Sequence, residues 1–214
     1  TRRVVAISAS YPGLCQSVLA NEPQSLELLV DHLASLGHTR FAWLGGNQNL
    51  SRHQARLQAF QNALRQRNLT LSERNCAYTD AADRAEGRKA VLQLLQQTQG
   101  RVAPTAIICY NGNMARGAID TLLREHYRVP TDFTVVAGDA SRVCFEEEPI
   151  ITNAGPSPEK LGQVAADLLL RSTGADEESF TDLVLASQLH LGETSATPVR
   201  GVGARRASIQ LPTN

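Results

Sequence analysis

The feature that most constrains this chain is alternation. Short apolar runs rich in β-branched residues recur along it, and each is followed by a longer stretch with helical periodicity. Residues 3–8 (RVVAIS), 40–44 (RFAWL), 76–79 (CAYT), 105–110 (TAIICY) and 133–137 (FTVVA) read as strands, with 3–8 as a buried one. Residues 23–36, 53–66, 83–97, 113–124 and 158–171 read as helices. In the first of these, Leu26, Leu29, Val30, Leu33 and Leu36 share a face. Pro23 suits its opening turn and Gly37 the position past its end. Residues 150–153 read as extended, and 183–191 alternates as a late strand. Strands spaced by helices build βαβ units, and right-handed crossovers then put helices on both faces of a parallel sheet. The fold class is α/β.

In such sheets ligands bind at the carboxyl ends of the strands. The residues to inspect are therefore 46–52, 111–113 and 138–142, the first of which leads into the helix over 53–66. Arg56, early in that helix, offers a guanidinium fork for ligand oxygens, or else an ion pair. Arg52 closes the first turn and is a second candidate. Asp139 directly follows a strand. Its carboxylate can accept from two vicinal hydroxyls of a sugar or ribose, or cap a turn. Asn111 can read a hydroxyl, although Asn111-Gly112 is also a strong turn dipeptide. Tyr110 can stack on a sugar face, whereas Trp43, inside a strand, reads as core.

Composition excludes several classes. Lys+Arg and Asp+Glu are both 21, so the chain lacks the basic excess with which nucleic-acid binders neutralise phosphates. No apolar run is long enough to span a bilayer, no secretory leader is evident at the first residues, and a cytoplasmic location is expected. Cys15, Cys76, Cys109 and Cys144 are scattered and read as buried thiols, with disulfides left open. The five histidines show no metal spacing, and neither a phosphate-cradling glycine motif nor a nucleophile elbow occurs. No cofactor, no metal and no catalysis are expected. Glu146, Glu147 and Glu148 read as a solvated turn, and Arg205-Arg206-Ala207-Ser208 as a chance match to a kinase site.

Four segments in order resemble the effector-binding module of the lactose-repressor (LacI/GalR) family of transcription regulators. They are 31–40 (DHLASLGHTR) with the Gly45-Gly46 turn beyond it, 56–60 (RLQAF), 104–118 (PTAIICYNGNMARGA) and 129–139 (VPTDFTVVAGD). The resemblance covers roughly 21–195. It implies a type I periplasmic-binding-protein-like fold of two Rossmann-like lobes with parallel sheets, the N-terminal lobe incomplete, and ligand in the cleft between them. On that template 1–20 and 150–175 fall in a partial N-terminal lobe, 21–149 and 180–196 in the C-terminal lobe, and 197–214 in a loose tail. The family's helix-turn-helix head is not seen, so a fragment of a longer chain is expected. The implied partners are a small polar effector, a sugar or nucleoside, DNA through a head outside this stretch, and a second copy in a homodimer. A solute receptor of a sugar transport system is the alternative. Arg56 matches an arginine with which the family is expected to hold its ligand, and Asp139 matches the Asp that closes the family's fourth segment. Gly112 stands where the family has Asp, and Asn21-Glu22 where it has Asp-Asn.

Overall fold

In the computed structural model, which describes residues 4–171 and 182–199, the chain forms two sheets. The smaller contains β1 (Val5–Ile7), β2 (Gln16–Ala20) and β8 (Asp182–Leu185), all parallel, in the order β1-β2-β8. The larger contains β3 (Phe41–Gly45), β4 (Cys76–Tyr78), β5 (Ala106–Cys109), β6 (Thr134–Ala137), β7 (Asn153–Gly155) and β9 (Gln188–His190). Its order is β4-β3-β5-β6-β7-β9, parallel except for β9, which runs antiparallel to β7.

Five longer helices connect these strands: α1 (Glu22–Ser35), α2 (Ser51–Gln66), α3 (Arg84–Thr98), α4 (Gly112–Arg124) and α6 (Pro158–Arg171). The single-turn α5 (Val143–Glu146) follows β6. From β3 the chain steps outward to β4 through α2, then back across to β5 through α3 and on to β6 through α4. Right-handed crossovers therefore place α2 on one face and α3 with α4 on the other. The central strands β3, β5 and β6 are buried along their whole length because both faces are covered. Trp43 stacks on Phe60 at 5.4 Å between ring centroids and is core, as its place in a strand predicts. Four helices begin on side-chain caps. Asn21, Asp83, Asn111 and Ser157 accept from the amides of Gln24, Glu86, Met114 and Lys160.

The helix spans expected from periodicity match within two residues at each end, and that of α6 matches at both. The strands differ more. β1 is shorter than 3–8 and is half exposed rather than buried, with Ile7 48% accessible, since among the described residues α6 is the helix that packs on its sheet, over β1 and β2. β2 escapes the pattern, since QSVLA mixes polar and apolar residues without clean alternation. The expected late strand over 183–191 is two strands. Ala186 and Ser187 interrupt it, so 182–185 joins the smaller sheet while 188–190 joins the larger. The apolar residues of α6 give one buried side chain, Ala165. All four cysteines are free and buried. Most of the expected tail and the Arg205–Ser208 match lie outside the described residues.

Two histidines tie the last described segment to the larger sheet. His38 is buried, with Nδ1 2.8 Å from the Thr105 hydroxyl and Nε2 2.8 Å from the Ala196 carbonyl. His32 Nε2 lies 3.0 Å from the Ser195 hydroxyl. Burial lowers the pKa of both; for His38 the Ala196 bond opposes this, and neighbouring His32 and Arg40 add to it. A histidine whose folded pKa is depressed is neutral in the fold but binds a proton readily when unfolded. Its stabilisation is complete above the unfolded value of about 6.5 and is lost as pH falls through that value toward the folded one. The urea midpoint should therefore drop between about pH 7.5 and pH 5, and His38→Gln should flatten part of that drop.

Candidate functional site

A cleft of 1120 Å³ opens between the carboxyl ends of the two sets of strands. On one side stand Ser8 after β1, Ala20 at the end of β2 and the first turns of α6. On the other stand the turns after β3, β4, β5 and β6. All five residues singled out from the sequence, Arg52, Arg56, Tyr110, Asn111 and Asp139, border this one space. They do so because every strand of a parallel sheet delivers its following residue to the same edge.

Arg56 is buried, 8% accessible. Its Nε donates to Glu22 Oε2 at 3.3 Å, Nη2 forms a close ion pair with Glu22 Oε1, and Nη1 donates to the Tyr110 carbonyl at 2.6 Å. The guanidinium carbon also lies 4.3 Å from the centre of the Tyr110 ring. Burial works against the Arg56 charge, but Glu22, and behind it Asp139, more than offset this and hold its pKa above the usual range. Three of its five N–H groups are engaged, which leaves two for a ligand oxygen.

Asp139 uses one oxygen internally. Its Oδ1 accepts from the Gly112 amide at 2.9 Å and the Ser141 hydroxyl at 2.9 Å. Its Oδ2 has no hydrogen-bond partner among the described residues. Asn111 is largely committed to structure. Its oxygen caps α4, and its nitrogen donates to the Ala82 carbonyl at 2.8 Å. Asn111 is thus a helix cap and not the Asn-Gly turn expected from the dipeptide, and capping leaves little of its capacity for reading a hydroxyl. Tyr110 is nearly buried, and its ring packs against His53 at 4.0 Å, within 14° of parallel, so that face is already occupied. Arg52 is exposed at the rim.

Three residues that sequence reasoning did not select matter here. Glu22 sits in the first turn of α1, at the crossing from the smaller sheet, and is brought to Arg56 across 34 positions. Its one mark in the sequence is that it departs from the family pattern. His53 lies one helical turn before Arg56, a spacing that could have revealed it. Burial, then the charges of Arg52 and Arg56, lower the His53 pKa against the pull of Glu22, and its buried Nδ1 has no hydrogen-bond partner among the described residues. Arg116 is fully buried in α4, where amphipathicity cannot distinguish it from a surface residue. It donates to the carbonyls of Glu147 at 2.5 Å, Glu148 at 3.0 Å and Pro149 at 3.0 Å, bracing the segment that follows Asp139 and Ser141. The acidic run is correspondingly more than a solvated turn, since Glu147 pairs with Arg84 at 2.9 Å.

The periplasmic binding protein-like domain family matches residues 30–195. The chain belongs to this family, as a LacI-family effector-binding domain. The domain is 30% identical over 151 residues to the HTH-type transcriptional repressor PurR of Haemophilus influenzae, covering 70% of this chain and 44% of the repressor. It thus spans about half the length of the curated relatives it matches. Among solved structures, a LacI family transcriptional regulator from Mycobacterium smegmatis superposes with a TM-score of 0.76 at 28% identity, covering 91% of this chain and 71% of the other. The complex of the transcriptional regulator CelR with cellobiose superposes with a TM-score of 0.72 at 25% identity, covering 84% and 54%. Among the described residues no helix is long and apolar enough to cross a membrane, and no group of His, Cys, Asp and Glu could hold a metal ion.

Proposed function

We propose that this domain senses a small polar effector, a sugar or nucleoside-like solute, in the cleft between its two sheets. The observation that carries the reading is convergence. Arg56 with two unused donors and Asp139 with an unused carboxylate oxygen border the same space, at the strand ends where α/β sheets take ligands. A hydroxyl pair bridging the two groups completes both hydrogen-bond sets. The solute is bound without being transformed. The cellobiose complex of CelR, a structural relative, supports the sugar class.

In the full-length protein, closure of the two sheets on the effector changes the spacing of DNA-binding heads in a homodimer in the cytoplasm. This is a population shift, so the effector must prefer one closure state. The relatives named above are transcription regulators, which favours this reading over a transport receptor. A thermal-shift screen of sugars, sugar phosphates and nucleosides tests it. Stabilisation should rise with effector concentration. Asp139→Ala, which removes one acceptor of ligand hydroxyls, should weaken the effector by about tenfold or more. Unchanged affinity in that variant would remove Asp139 from the site.

A further inference from the structure

We infer that the effector of this domain is an uncharged polyhydroxylated solute, and that Glu22 is the residue that excludes its phosphorylated or carboxylated counterparts. The inference rests on the effector reading above and names the ligand class within it.

Arginine in a cleft ordinarily attracts anions, because its planar fork matches carboxylate and phosphate. In this cleft the fork is already taken. Glu22 accepts from both Nε and Nη2 of Arg56, so the guanidinium charge is cancelled within the protein. An anion would have to displace Glu22, or sit beside it and beside Asp139. A neutral hydroxyl meets neither cost, and it can accept from the two N–H groups that Glu22 and Tyr110 leave unused.

The rest of the lining points the same way. Its cations are Arg52, Arg56 and Arg142. Its carboxylates are Glu22, Asp80, Asp83 and Asp139, one more than the arginines. Arg142 is paired with Glu146 at 2.5 Å. Arg52 stands exposed at the rim, where water and salt screen it. His53 is held neutral by burial and by its arginine neighbours, so it adds no charge. Helix amino ends also reach the cleft and would favour an anion through their free N–H groups. Four of those groups are satisfied internally: Gln24 N–H by Asn21, Met114 N–H by Asn111, Lys160 N–H by Ser157, and Gly112 N–H by the Asp139 carboxylate. The last is telling, because Asp139 occupies the position over α4 that a phosphate would need.

The test uses the 214-residue chain and paired probes: ribose, glucose and adenosine, each against its phosphate ester, and inorganic phosphate alone. Binding is read by thermal shift and calorimetry. A neutral probe should stabilise the protein, its phosphate ester should bind at least about tenfold more weakly, and inorganic phosphate should give no shift. In Glu22→Gln the preference should narrow by about tenfold, and inorganic phosphate should begin to stabilise. A phosphate ester that matches or exceeds its neutral partner on the unaltered chain overturns the charge inference and leaves the effector reading standing. Silence from every probe overturns both. An unchanged preference in a folded Glu22→Gln protein overturns the role assigned to Glu22.

Discussion

Gly117→Val should prevent the chain from reaching its native fold, and Gly117→Ala should cost about 3 kcal/mol, at the upper end of what overpacking costs. The reason lies where α3 crosses α4. A Cβ at Gly117 would fall 2.0 Å from the carbonyl oxygen of Arg84, and one at Gly87 would fall 2.2 Å from that of Met114. Both obstacles are backbone, so neither can rotate away, and the two helices must separate. Alanine ordinarily stabilises a helix by about 1 kcal/mol relative to glycine, so the expected loss runs against propensity. Gly162→Ala in α6 is the control. Nothing lies within 4 Å of a Cβ there, and the substitution should gain up to about 1 kcal/mol. Urea denaturation of the three variants decides the matter, and a Gly117→Ala protein as stable as the parent would refute the close crossing.

Arg56→Ala should abolish most effector-dependent stabilisation, weakening binding by about a hundredfold, equivalent to roughly 3 kcal/mol. It removes the donors aimed into the cleft, and it also frees Glu22, which then repels electron-rich oxygens. The loss of intrinsic stability should be smaller, about 1–3 kcal/mol. The Glu22 side chain is 37% accessible and rehydrates when its partner goes. The Tyr110 carbonyl loses its donor as well. Arg56→Lys separates charge from geometry. Lysine keeps the charge but cannot reach Glu22, the Tyr110 carbonyl and a ligand together, so it should recover less than half of the lost binding energy. Calorimetry with the effector found by screening gives affinity, and denaturation of the ligand-free protein gives stability. Equal losses in the two measurements would make Arg56 a structural residue alone.

Much of this domain is legible one segment at a time. Helix periodicity locates α1 and α6 because apolar residues recur every three to four positions in both, although they form a buried face in α1 and bury Ala165 alone in α6. The fully buried strands β3, β5 and β6 announce themselves as unbroken apolar runs. Tyr110, Asn111 and Asp139 are found because residues after parallel strands gather at one edge, and Arg56 through the family resemblance. Legibility ends where a residue's meaning depends on a partner far along the chain. The sequence shows Asn111 as a versatile amide, but the neighbouring helix and the Ala82 carbonyl consume it. It shows 183–191 as one alternating run, but two different sheets claim its halves.

What the linear order of residues determined is the α/β architecture, the family and the rim on which a ligand would sit, because these follow from local pattern and from the handedness of crossovers. What only the folded chain decided is the electrical character of that rim. Glu22 neutralises Arg56 and Asp139 caps Gly112 through contacts spanning 34 and 27 positions. Charges so far apart in sequence interact only once packing has brought them within hydrogen-bonding distance and water has been expelled from around them.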